Sequence, residues 1–129
     1  MRISMARGDL YTFTFGVDVD GVEQTTACDY AYFSVKKRYT DRDVIFQKKL
    51  SDGSILFDGA GTYTVMILPE DTEDLEFGVY EFDVEVVKTD SYKRTFTGTL
   101  ELTREITHRN NEDGGEVPPG PPYARGRSF

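Results

Sequence analysis

A chain of 129 residues with a formal net charge of −8 is long enough for one core, and its charge has the wrong sign for gripping a phosphate backbone or an anionic membrane. Nine Phe, eight Tyr and no Trp are a strand-former's palette, and a single cysteine, Cys28, excludes any intrachain disulfide. No segment approaches the roughly 20 apolar residues of a membrane span, and Met1 to Gly8 lack the apolar run of a secretory signal, so we expect a protein made in the cytoplasm.

Tyr11, Phe13, Phe15, Val17 and Val19 alternate with Thr12, Thr14, Gly16, Asp18 and Asp20, which predicts a first strand closed by the Asp20-Gly21 turn. A second strand is expected from about Asp29 to Tyr39, with Tyr30 and Tyr32 on one face and Ala31, Phe33 and Val35 on the other. Both faces are apolar at its start, which places it centrally. Val44, Phe46 and Lys48 alternate next, and Ser51-Asp52-Gly53-Ser54 reverses the chain. Ile55-Leu56-Phe57 is a short run ending at Asp58-Gly59-Ala60-Gly61, after which Tyr63, Val65 and Ile67 alternate up to Pro69.

Pro69 to Leu75 reads as a single helical turn or a tight corner. Gly78 then opens a strand in which Tyr80, Phe82, Val84 and Val86 share the dry face and Glu81, Asp83 and Glu85 the wet one. A glycine two residues before Tyr80 fits the corner tyrosine of immunoglobulin-like sandwiches. A last long strand places Phe96, Gly98, Leu100, Leu102 and Ile106 inward. Seven or so strands with no amphipathic crossover helix predict an all-β, antiparallel, immunoglobulin-like sandwich over residues 1–107.

Residues 108–129 read differently, as an extended Gly/Pro-rich C-terminal arm. Four prolines favour an extended conformer, and Tyr123, Arg125, Arg127 and Phe129 are residue types that anchor interfaces. Up to Thr107 the chain has 12 basic against 20 acidic residues, and after it 3 against 3, so the whole acidic excess belongs to the sandwich.

Little points to catalysis. His108 stands alone, Cys28 has an acidic neighbour that disfavours its thiolate, and no glycine loop leads from a strand into a helix. No pair of carboxylates has an apolar setting that would split its pKa values. Asp18-Val19-Asp20-Gly21 is half of a calcium loop without the remaining ligands, so no metal is expected, and no cofactor. Glu70, Asp71, Glu73, Asp74 and Glu76 read as a solvated corner favoured by the helix dipole. The reading is of a protein that is not an enzyme. Tyr30, Tyr32, Tyr63, Tyr80 and Tyr92 would suit sugar stacking if several met on one exposed face, although such aromatics more often fill a core.

The order of signals resembles a small domain of tailed-bacteriophage structural proteins, including the amino-terminal domain of baseplate upper proteins. The resemblance rests on Arg7-Gly8-Asp9 before a strand, Asp20-Gly21, Val35-Lys36-Lys37, Pro69-Glu70-Asp71-Thr72, the Leu75-x-x-Gly78-x-Tyr80-x-Phe82-Asp83-Val84 segment and Thr97-Gly98-Thr99-Leu100. It covers about Met5 to Thr107, and the arm has no counterpart in it. It implies a non-enzymatic virion part, in a baseplate, tail or neck, that binds other virion proteins in a ring or lattice, and neither nucleic acid nor membrane. On this expectation sheet edges pair with neighbours while Val117 to Phe129 latch an adjacent subunit, with Tyr123 and Phe129 as apolar anchors and Arg125 and Arg127 meeting acidic surface. The alternative is a carbohydrate-binding or capsid-decoration module serving host attachment.

Overall fold

The computed structural model describes residues 1–104. The expected alternations become strands: β1 (Arg2–Ala6), β2 (Tyr11–Phe15), β3 (Asp18–Val19), β4 (Val22–Glu23), β5 (Tyr30–Lys36), β6 (Phe46–Lys49), β7 (Ile55–Phe57), β8 (Tyr63–Ile67), β9 (Gly78–Lys88) and β10 (Tyr92–Thr103). One helical turn, α1 (Pro69–Thr72), separates β8 from β9. The fold is all-β, in two layers. One sheet runs β1-β10-β9-β5-β6 and the other β2-β8-β7, while β3 and β4 form a small hairpin of their own.

Every pairing is antiparallel except that of β1, which lies parallel to β10 from Arg2 opposite Thr99 to Ala6 opposite Thr103. The two sheets meet through aromatic side chains. Phe13 of β2 sits edge-on to Phe33 of β5, 5.4 Å between centroids, and Phe33 packs on Phe82 of β9 at 5.2 Å. Such contacts add to the area burial that drives the layers together. The dry faces of β8 and β9 are as the alternation predicts, with Tyr63, Val65 and Ile67 and Tyr80, Phe82, Val84 and Val86 buried; in β5, where both faces are apolar, Ala31, Phe33 and Val35 are the ones buried.

Among the described residues ten strands stand where about seven were expected, for two reasons. β1 was not anticipated, because Ile3 and Met5 are only two apolar positions between polar ones; both are buried once β10 lies alongside. The strand expected from Tyr11 to Val19 is broken at Gly16 and Val17, where a side chain on Gly16 would come within 3.4 Å of the Gly61 carbonyl. Beyond the break the chain forms β3, turns through Asp20 and Gly21 with φ of 52° and 81°, and returns as β4. Positive angles at both turn residues match the twist of a two-residue hairpin.

The corner ahead of β9 is built as the sequence suggested. The Tyr80 hydroxyl donates to the Glu76 carbonyl at 2.7 Å, the bond of a tyrosine corner. Thr72 is fully buried and its hydroxyl accepts the Gly8 N–H at 2.8 Å, which ties the β1–β2 turn to α1. Asp71 departs from the solvated reading of the acidic cluster. Its carboxylate accepts the Leu68 N–H at 2.7 Å and pairs with Lys48 of β6 at 2.5 Å, both side chains largely buried. Lys48 alternates with Phe46 as expected, but that it points inward was not anticipated; the buried carboxylate is what makes an inward lysine tolerable.

Phe96 is the second correction. It shares the inner face with Leu100 and Leu102, yet it is 36% exposed while they are essentially buried. Ile106, expected on the same face, lies outside the described residues.

Candidate interaction surfaces

Three surfaces concentrate chemistry. The first is the wet face of the larger sheet, where register sets Tyr32 beside Glu85 and Ser34 between Asp83 and Gln47. There Tyr32, Ser34, Lys36, Gln47, Asp83 and Glu85 line an open groove of about 300 Å³. The Gln47 amide donates to the Ser34 hydroxyl at 2.8 Å, and the Lys36 ammonium donates to the Asp41 carbonyl at 2.9 Å. Partial burial, and then the Glu85 carboxylate, raise the Asp83 carboxyl above its ordinary value, with Lys36 pulling the other way. Tyr30 and Tyr32 hold parallel rings 6.4 Å apart beside the groove, and Tyr30 is about half exposed.

The other three tyrosines considered for stacking are in the core. Tyr63 is fully buried, stacks on Phe15 at 5.0 Å and accepts the Cys28 N–H at 2.9 Å, and burial pushes its hydroxyl pKa far up. Tyr80 and Tyr92 are buried too, with pKa values raised chiefly by desolvation.

The second surface surrounds the tyrosine corner. The guanidinium of Arg7 lies 4.1 Å and that of Arg104 4.9 Å from the Phe77 ring centroid, while Lys37 sits 4.5 Å from that of Tyr80. Arg7 also donates to the Leu75 carbonyl at 3.1 Å. These cations cover the aromatics of the corner. Arg104 is therefore held at this end of the sandwich, where the described residues end.

The third surface is the early part of β10. Thr99 donates its N–H to Met1 and Thr103 accepts from Arg7 N–H, so the odd-numbered residues of β10 aim their backbone groups at the β1 side. β1 reaches only to Thr99 in register, with Met1 alongside Gly98. Lys93, Thr95 and Thr97 thus present N–H and C=O groups with no strand beside them among the described residues; only a 3.5 Å contact from the Arg94 guanidinium reaches the Lys93 carbonyl. All five residues from Lys93 to Thr97 are exposed. Behind them Phe15, Val17, Asp18, Val86, Arg94 and Phe96 line a second depression of about 200 Å³, in which Phe96 meets Phe15 edge-on at 5.8 Å.

Val117, Tyr123, Arg125, Arg127 and Phe129, the expected partner-binding residues, lie outside the described residues. Among the described residues Asp18 and Asp20 belong to a hairpin, and no group of three potential metal ligands gathers anywhere. The open edge went unnoticed in the sequence, because alternation identifies the faces of a strand and says nothing of its neighbours. No protein-family model matches the chain, and no curated protein matches it.

Proposed function

We propose that the protein is a non-enzymatic structural component of a bacteriophage virion, an adaptor of the baseplate, tail or neck that joins neighbouring subunits through its sheet edges and its C-terminal arm. The observation that carries the assembly reading is the unpaired edge of β10 at Lys93, Thr95 and Thr97, flanked by exposed Phe96. An open edge with an apolar flank is a template for strand addition. The virion assignment itself rests on the resemblance of Met5 to Thr107 to phage structural domains. The fold that accompanies it is immunoglobulin-like: β10-β9-β5-β6 follows the order G-F-C-C′ of variable domains, β2-β8-β7 the order B-E-D, and Tyr80 starts the strand that carries the corner tyrosine.

In this reading Val117 to Phe129 latch an adjacent copy in a ring or lattice, with Tyr123 and Phe129 as apolar anchors and Arg125 and Arg127 against acidic surface such as Asp83 and Glu85. A chain ending after Asn111 should keep the fold, by circular dichroism, and lose incorporation into particles. Undiminished incorporation would eliminate the latch.

A second reading has its own observation. The exposed Tyr30 stacked on the half-buried Tyr32, beside a groove lined by carboxylates, an amide and a hydroxyl, suits a carbohydrate, whose hydroxyls need acceptors and whose ring faces stack on tyrosine. It calls for a glycan-array signal that disappears in Tyr30→Ala and Tyr32→Ala. Silence across the array, with the arm still required for assembly, would leave the structural role alone.

A further inference from the structure

We infer that the open edge of β10 takes the same edge of a second copy, antiparallel about a two-fold axis through Thr95, joining two five-stranded sheets into one. The inference rests on the assembly reading and specifies the partner of one of its edges. The edge strands of the two sheets are short, β7 with three residues, β6 with four and β1 and β2 with five each, whereas the stretch of β10 without a neighbour on one side among the described residues runs from Tyr92 to Thr97, up to where Met1 lies alongside Gly98.

Direction and register follow from where the backbone groups point. Free N–H and C=O groups belong to Lys93, Thr95 and Thr97, so in an antiparallel pair these must be the residues that exchange hydrogen bonds. A two-fold through Thr95 sets Thr95 against itself and Lys93 against Thr97 of the second copy, and every free group of the stretch gains a partner. Charge selects the same register. Basic residues are a common means of blunting an edge, and Lys93 and Arg94 would do so here in any arrangement that set them against their own copies. With Thr95 on the axis, neither meets a like charge directly opposite.

The side chains then complement one another on both faces. Arg94 and Phe96 share the inner face, their partners on β9 being Val86 and Val84. Across the axis Arg94 of one copy stands opposite Phe96 of the other, a cation over a half-exposed ring, and Asp18 lines the depression it would enter. On the outer face Lys93 of the second copy stands opposite Thr97, whose partner on β9 is Asp83, and Lys93 itself already lies 3.4 Å from Glu85 within its own sheet. The acidic stripe of β9 thus acquires a second row of cations.

The test uses the full chain. Sedimentation across a concentration series should give a reversible monomer–dimer equilibrium. Thr95→Cys should form a covalent dimer under mild oxidation, because residues paired on the axis have a Cα separation of about 5.5 Å, within disulfide reach. Leu56→Cys, exposed on the other sheet, is the control and should stay monomeric on the same gel. Thr95→Lys, which sets two ammonium groups face to face on the axis while lying beside Glu85 in its own chain, should raise the dimer dissociation constant at least about tenfold with an unchanged denaturation midpoint. A chain that is monomeric up to about 1 mM overturns the inference, as does a dimer insensitive to Thr95→Lys. If the full chain self-associates without cross-linking at Thr95→Cys, this pairing is wrong while assembly through other surfaces stands; the assembly reading falls separately, on the arm truncation.

Discussion

From Thr99 to Leu102, β10 has β1 on one side and β9 on the other, and its inward residues Leu100 and Leu102 are buried. From Lys93 to Thr97 the same strand has β9 alone, and its inward Phe96 stays partly in water. The alternation of side chains is the same in both stretches; what differs is the company. A five-stranded sheet is faced by a three-stranded one, so one layer cannot cover all of the other. Gly98 lies at the boundary, where an added side chain would run into the Met1 carbonyl and, at 2.6 Å, the Phe82 ring. Burial is thus a property of layers rather than of single strands.

Substitution should separate the two stretches sharply. Leu100→Ala is expected to cost about 2–5 kcal/mol in urea denaturation, because a fully buried leucine leaves a cavity behind. Phe96→Ala, measured on the monomer, should cost under about 1 kcal/mol. Equal losses at the two sites would mean that Phe96 is covered in solution. At the covered end, Lys48→Ala strands the Asp71 carboxylate in a largely buried site and should cost about 3 kcal/mol, with Lys48→Met combined with Asp71→Asn recovering much of it. Tyr80→Phe removes one hydrogen bond from the corner and should cost about 1 kcal/mol, leaving the β10 edge unaffected.

The smallest effect is electrostatic. Burial holds the folded-state pKa of Asp83 above its ordinary 3.8, so its ionised form opposes folding at neutral pH, and that penalty is relieved as pH falls through the folded value. Asp29, Asp52 and Asp58 behave in the opposite sense. Hydrogen bonds from Thr89, Ser54 and Thr62 lower their pKa values, so their contribution is present above 3.8 and lost as pH falls below it through the folded values. Carboxyl titration by NMR should place Asp83 above 3.8 and the other three below. A low midpoint for Asp83 would show its groove to be fully wetted.

Much of the fold was legible because strand faces have a period of two. The dry faces of β8 and β9 follow from alternation alone, and the corner from Pro69, Gly78 and Tyr80. What escaped depends on contacts distant in the chain. β1 is a strand because β10 lies beside it; Lys48 turns inward because Asp71 waits there; Asp83 is shifted because its groove is partly dry and, after that, because Glu85 shares it. The tyrosines divide for the same reason: nothing in their spacing tells Tyr30 and Tyr32, on the wet face, from Tyr63 and Tyr92 in the core. The candidate surfaces were therefore less legible than the fold, since an edge is defined by the strand that is not beside it.

The parallel course of β1 has a practical corollary. Any affinity tag or fusion partner joined ahead of Met1 would continue in the direction of β1 and arrive next to Thr97, Thr95 and Lys93. A cloning choice made for purification could therefore act as a competitive inhibitor in cis, reporting a monomer where the tag-free protein is paired.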